Sequence, residues 1–192
     1  INHPVKDWDG LMEVKAPFGR ESHWIQIPNF EEHEHFEVHP LRGVKRSEKD
    51  EKMLELIKSE IKEKRKVCIF TYFTGSGASY MKGQNVQDRV TQLLESEGYR
   101  VAKLTQDKFF LTGKKPIKTK IDERAVRLFE EQDNYDILIT NPKIVNVGIN
   151  LRFIPTYINY MPTYHVSEIS QANRRGYRIN TTVENRVFHL YY

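Results

Sequence analysis

The chain reads as an α/β protein, a mainly parallel sheet flanked by helices. Three observations predict this. Short apolar runs at residues 67–73, 99–104, 137–140 and 157–160 alternate with stretches of helical periodicity. The first run, Val67 to Phe73, is continuously apolar and aromatic, as a strand buried on both faces must be. Glycines punctuate the alternation, with Gly75 and Gly77 after the first strand and Gly98 after the second helix. Helices alternating with such strands imply a parallel sheet covered on both sides.

In order, Leu54, Ile57 and Ile61 recur at helical spacing among charges and mark a helix from Asp50 to Lys64. The strand over 67–73 follows. Val86, Val90, Leu93 and Leu94 share one side of a second helix, with Gly98 as its stop signal. Tyr99–Leu104 is a short strand. A third helix spans Asp122–Gln132 and is expected to bury Ala125, Leu128 and Phe129. Strands at 137–140 and 157–160, a helix around Gln171, and a strand at 187–191 complete the set. Thr105–Lys120 fits no such rhythm. There Lys108, Lys114, Lys115, Lys118 and Lys120 flank Phe109 and Phe110, which suits either a phosphate backbone with stacked bases or a plain solvated loop.

The domain reading is an irregular N-terminal segment or insertion over 1–49 and one α/β domain over 50–192. The first part carries prolines and aromatics (Trp8, Phe18, Trp24, Phe30, Phe36) without a sustained period. Its His33, His35 and His39 have no nearby cysteine, so they read as solvated surface and no metal site is expected. Residues 1–45 hold five Lys/Arg against eight Asp/Glu, and residues 46–192 hold 25 against 18. The basic portion favours a nucleic-acid partner. No apolar run approaches the ~18 residues of a membrane span. The single cysteine, Cys68, excludes an internal disulfide and fits a reducing cytoplasm. A chain that opens on Ile1 is expected to be a piece of a longer polypeptide.

Gln171, Arg175 and Arg178 stand at i, i+4 and i+7, on one face if the helix continues. Neighbouring guanidiniums repel, and a polyphosphate would reconcile them because the planar fork matches phosphate oxygens. A solvated basic stripe or salt-bridged pair is the bland alternative.

Four stretches in order carry a resemblance. Gln171-Ala-Asn-Arg-Arg175-Gly-Tyr-Arg178-Ile-Asn resembles motif VI of superfamily 2 helicases, closest to the Swi/Snf type. Lys66–Thr74 is similar to motif IV. Asp136–Thr140 with Val147–Leu151 resembles motif V, and Asp122–Phe129 resembles the acidic-Arg helix between them. The resemblance implies a RecA-like three-layer fold, the second of two motor lobes.

It also implies roles. Arg178 would be an arginine finger on the γ-phosphate of ATP, Arg175 its partner, and Gln171 the link between nucleotide and lobe closure. Gly148 and Asn150 of motif V would lie beside the nucleotide. Thr71, Tyr72, Thr140 and Asn141 would touch nucleic-acid phosphates, with Lys114 and Lys115 as further basic contacts. The nucleic acid would be DNA in preference to RNA. No G-x-x-x-x-G-K-[ST] and no acidic D-E-x-H run occurs in the chain. ATP with Mg²⁺ would therefore be held mainly by an N-terminal RecA-like lobe of the same polypeptide, and this piece alone would be inactive as an ATPase.

Two other readings stand beside it. Phe73-Thr-Gly-Ser-Gly77 and Asn141-Pro142 resemble the S-adenosylmethionine loop and the N-P-P-Y strand end of DNA adenine methyltransferases. Lys143 and Ile144 replace the Pro and Tyr of that pattern. The third reading is a degenerate helicase-like lobe that only binds.

Overall fold

The computed structural model describes residues 23–26, 35–38, 46–72, 86–145, 148–161, 166–177 and 183–191. The chain divides into two compact units, Ile1–Lys45 with Gly75–Asn85 and Arg46–Thr74 with Val86–Tyr192. In the first, β1 (His23–Gln26) and β2 (His35–Val38) pair antiparallel.

The second unit is the expected α/β body. It contains helix α1 (Glu48–Lys62), strand β3 (Val67–Phe70), α2 (Val86–Ser96), β4 (Val101–Leu104), β5 (Lys108–Leu111) and β6 (Ile117–Lys118). Then come α3 (Arg124–Glu130), β7 (Ile137–Thr140), α4 (Pro142–Val145), β8 (Thr156–Asn159), α5 (Val166–Asn173) and β9 (Arg186–His189). The seven strands are ordered β6-β5-β4-β7-β3-β8-β9, with β4, β7, β3, β8 and β9 parallel and the β5–β6 hairpin antiparallel on one edge.

Strand pleating divides the core in two. Val67, Ile69, Val101, Ile137, Ile139 and Ile158 face Met53, Leu54 and Ile57 of α1 and Val90 and Leu94 of α2. Cys68, Phe70, Ala102, Leu104, Leu138 and Tyr157 face the other way, against Leu128 of α3, Val145 of α4 and Ala172 of α5. Both faces are covered, which is why these strands read as continuous apolar runs. Cys68 is fully buried, and burial raises its thiol well above the ordinary range. Its place is in the core.

Helix ends follow local chemistry. Ser47 and Asp50 form a reciprocal capping box at the start of α1. At its other end Lys64 donates to the Ile61 carbonyl at 2.9 Å and Arg65 to that of Glu60 at 3.0 Å, a Schellman closure. It places Lys64 at φ +58°, a left-handed conformation normally left to glycine.

Three expectations need correction. Residues 105–120 are not an irregular loop. Phe109 and Leu111 are buried under β4, so the segment folds as β5 and β6 and widens the sheet. Phe129 is 61 % exposed, and edge-to-face contact with Phe153 replaces its expected burial. The third helix is shorter than 122–132, ending at Glu130 before a 3-10 turn over Gln132–Asn134.

Candidate functional site at the carboxyl ends of the strands

Four parallel strands end level with one another at Leu104, Thr140, Phe70 and Asn159. The ladder runs one residue further, with Thr71 N–H donating to the Thr140 carbonyl at 3.0 Å and Tyr160 N–H to that of Phe70 at 3.1 Å. The ends of the motif IV-like and motif V-like strands therefore lie side by side. In open α/β sheets this is the edge where ligands bind.

Polar groups without partners collect there. Among the described residues, Thr71 Oγ1, Tyr72 Oη, Asn159 Oδ1 and Gln87 Nε2 are buried with no hydrogen bond, and so is Nε of Arg124. Thr71, Tyr72 and Asn159 follow or end strands, while Gln87 and Arg124 lie at the starts of α2 and α3, the next helices after β3 and the β5–β6 hairpin. Arg124 is only 4 % exposed, and its guanidinium donates to the Gln106 carbonyl just past β4. Burial, assisted by the Glu168 carboxylate, pushes the Tyr72 phenol up to about 12. Buried polar atoms are seldom left unsatisfied, and the five at this edge, of nine such atoms among the described residues, favour a ligand or ordered water there. Sequence reasoning passed over Gln87, Arg124 and Asn159. A polar residue closing an apolar strand was the available signal for Asn159.

The expected contact residues fall into three groups. Thr71 and Thr140 are fully buried, and the Thr140 hydroxyl donates to the Leu104 carbonyl at 3.1 Å. Asn141 is half-buried. Its Oδ1 accepts from Lys143 N–H at 2.9 Å, capping α4, and its Nδ2 donates to the Tyr72 carbonyl at 3.1 Å. Both polar ends thus join the two strand ends. Lys114 and Lys115 lie at the opposite end of the sheet. The Leu111–Ala102 register carries their turn past the start of β4, where Lys114 pairs with Glu131 at 3.2 Å.

The motif V-like and motif VI-like segments meet. Gly148 sits exposed at φ +68°, a conformation open to glycine, and exposed Asn150 accepts from Arg152 N–H at 3.2 Å in a local turn. Leu151 N–H then donates to the Arg175 carbonyl at 3.2 Å. Gly176 is pressed on Tyr157 and Asn185, where an added Cβ would lie 2.8 Å from Asn185 Oδ1 and 2.9 Å from Tyr157 Cε2.

One premise changes. Helix α5 stops at Asn173, so Gln171 is an exposed helix residue while Arg175 lies half-buried in the turn beyond. Gln171 and Arg175 therefore do not share one continuous helix face. Arg178 lies outside the described residues, as do residues 73–77, His33 and His39; only the backbone of His35 is described.

Two ion clusters, unseen in the sequence, hold the scaffold. Asp50 is fully buried and accepts from Arg89 at 2.8 and 3.0 Å and from the Tyr160 hydroxyl at 2.8 Å. Burial alone would raise its pKa. The bonds from Arg89, Ser47 and Tyr160 outweigh burial and hold the carboxyl below its usual range. At the other end of the sheet Glu60 accepts from Arg65 at 2.7 Å, Thr156 at 2.5 Å and Arg186 at 2.9 Å. The capping sequence Ser47-Glu-Lys-Asp50 was the legible hint of the first.

Among the described residues there is no group of three His, Cys, Asp or Glu able to hold a metal ion, and no helix long and apolar enough to cross a membrane. The arrangement offers amide, phenol and guanidinium donors to an anion and contains no paired acids suited to proton transfer.

Comparison with known proteins follows the same lines. The family model described as Helicase conserved C-terminal domain matches residues 48–180. A structure described as "Crystal structure of the C-terminal part of Fun30 ATPase domain" superposes with a TM-score of 0.59 at 24 % identity, over 76 % of this chain and 41 % of that one. The chain thus spans less than half the length of that solved relative, and the likeness is one of fold. No curated protein matches the chain's sequence. The family match takes in all four resembling stretches and the strand ends at Leu104, Thr140, Phe70 and Asn159, and so the chain belongs to the helicase conserved C-terminal domain family.

Proposed function

We propose that this chain is the second motor lobe of an ATP-dependent, Swi/Snf-like nucleic-acid translocase. On this reading a preceding lobe of the same polypeptide holds ATP and Mg²⁺, and this lobe supplies cations when the two close. The observation that carries the reading is the joining of the motif V-like and motif VI-like segments through Leu151 N–H and the Arg175 carbonyl. That bond ties the turn bearing Arg175 to the loop of Gly148 and Asn150, so a phosphate sensed at one is felt at the other. The orphaned polar groups at the adjoining strand ends supply the second support.

The residues fit a triphosphate in chemical kind. The planar guanidinium forks of Arg175 and Arg178 match phosphate oxygens. ATP would supply the phosphoryl group whose transfer drives closure. Gln171, exposed on α5, would follow that closure. Because the arginines would engage only when the lobes approach, their charge is spent on the transition state. DNA is the favoured polymer on the Swi/Snf resemblance, while the basic balance of residues 46–192 suits a nucleic acid of either kind.

The test uses the full-length protein. Arg175→Ala and Arg178→Ala are expected to lower nucleic-acid-stimulated ATP hydrolysis by about 10³-fold or more, the lower end for an arginine finger. Unchanged hydrolysis in both variants refutes the assignment. Residues 48–180 alone are expected to hydrolyse no ATP, and turnover by that piece would also refute it.

A further inference from the structure

The antiparallel hairpin on the sheet edge holds an arrangement that the fold does not explain. In the β5–β6 register Lys108 stands directly opposite Lys118. Residues so paired project to the same side, and like charges there destabilise a hairpin. Several other lysines of this body are compensated. Lys103 pairs with Asp88, Lys114 with Glu131, and Lys66 donates to two carbonyls at 2.7 Å. Among the described residues, no carboxylate lies within ion-pairing distance of Lys108, Lys118 or the nearby Lys120. The neighbouring Asp107 carboxylate sits 3.4 Å from the Thr105 hydroxyl instead.

The pair is held in a stiff frame. Lys108 N–H donates to Thr105 Oγ1 at 3.2 Å, Thr105 N–H to the Lys108 carbonyl at 2.9 Å, and Thr119 N–H to the Asp107 carbonyl at 2.9 Å. Buried Arg124 anchors the preceding turn through Gln106. Position matters as much as rigidity. Lys108 and Lys118 lie where β4 ends, at the carboxyl edge that carries the candidate site, whereas Lys114 and Lys115 occupy the far turn.

We propose that Lys108, Lys118 and Lys120 form a contact for the phosphate backbone of nucleic acid, and that Lys114 and Lys115 do not. The inference deepens the motor reading and rests on it for the identity of the polymer. Uncompensated, opposed cations on a preorganised edge are neutralised together by consecutive phosphates, which releases counterions and leaves a signature in salt dependence.

Edge lysines also guard sheets against edge-to-edge pairing, and this is the rival explanation. Charge reversal separates the two, because glutamates guard an edge as well as lysines do but repel phosphate. The full-length protein is titrated with fluorescent 30-nucleotide DNA and RNA, single-stranded and duplex, over a range of salt, and basal and stimulated ATP hydrolysis are followed in parallel. For Lys108→Glu/Lys118→Glu, affinity should fall about tenfold or more and the log–log salt slope by about 1 to 2, with basal hydrolysis and monodispersity unchanged. Lys114→Gln/Lys115→Gln should leave both affinity and slope as in the wild type. Unaltered binding by the charge-reversed protein overturns the inference, as does an equal loss in the Lys114/Lys115 variant or failure of the wild type to bind any probe. A wild type that binds with the expected lysine dependence but hydrolyses no ATP overturns the motor reading and leaves this contact standing.

Discussion

Replacing Asp50 by Asn tests the tie between α1, α2 and the end of β8. The carboxylate is fully buried and receives two charge-assisted bonds from Arg89, at 2.8 and 3.0 Å, besides one from Tyr160 at 2.8 Å. It also closes the helix cap by accepting from Ser47 N–H at 2.9 Å. The amide keeps one acceptor and turns a donor toward groups that already donate. Losing a charge-assisted bond costs about 1.5–3 kcal/mol, and a spoiled cap adds about 1 kcal/mol. Water reaching Arg89, which is 29 % exposed, returns part of this. The net expectation is about 3 kcal/mol, or ~6–12 °C in Tm for a chain of this size. Urea unfolding followed by circular dichroism measures it, with Arg46→Ala as control, since the exposed Arg46–Glu97 pair should contribute at most about 1 kcal/mol.

The sign with pH follows from the depressed carboxyl. Asp50 stabilises the fold fully above its unfolded pKa, near 4, and that contribution fades as pH falls through the lower folded value. The gap between wild type and Asp50→Asn should therefore narrow on acidification below about pH 4. A loss under about 1 kcal/mol at neutral pH, or a gap that widens in acid, refutes the account.

Other outcomes are equally open to measurement. Gly176→Ala drives a methyl into Tyr157 and Asn185 and should cost about 1–3 kcal/mol by urea unfolding. Lys64→Gly relieves the left-handed strain at φ +58° and should stabilise by about 0.5–1 kcal/mol in the same assay. Cys68, buried with its thiol pushed up, should resist iodoacetamide at pH 8 in the native protein and react only on unfolding, as mass spectrometry would report.

Strand identities were legible because residues such as Val67–Phe70 and Ile137–Thr140 have both faces covered, and nothing but a buried strand suits four such residues in a row. The hairpin was not. Phe109 and Leu111 face the core while Lys108 and Phe110 face outward, and the lysine-rich turn around them drowned that short alternation. At the site, spacing alone placed Gln171 and Arg175 on one helix, yet the helix closes at Asn173 because the chain must bring Gly176 against the Tyr157 ring. Arg89 and Tyr160 lie 39 and 110 residues beyond Asp50 along the chain, and no local pattern links them. Their meeting is a product of topology.

That topology bears on how the protein is made. Val67 finds its two sheet neighbours in Ile137 and Thr156, which lie 70 and 89 positions downstream. The central strand is thus the first of this sheet to be synthesised and waits longest for its neighbours. Loop closure over such separations is slow, and until the ribosome has passed Asn159 a greasy seam waits without neighbours. Holding by a chaperone, or vectorial folding onto a preceding lobe, would matter most in that interval.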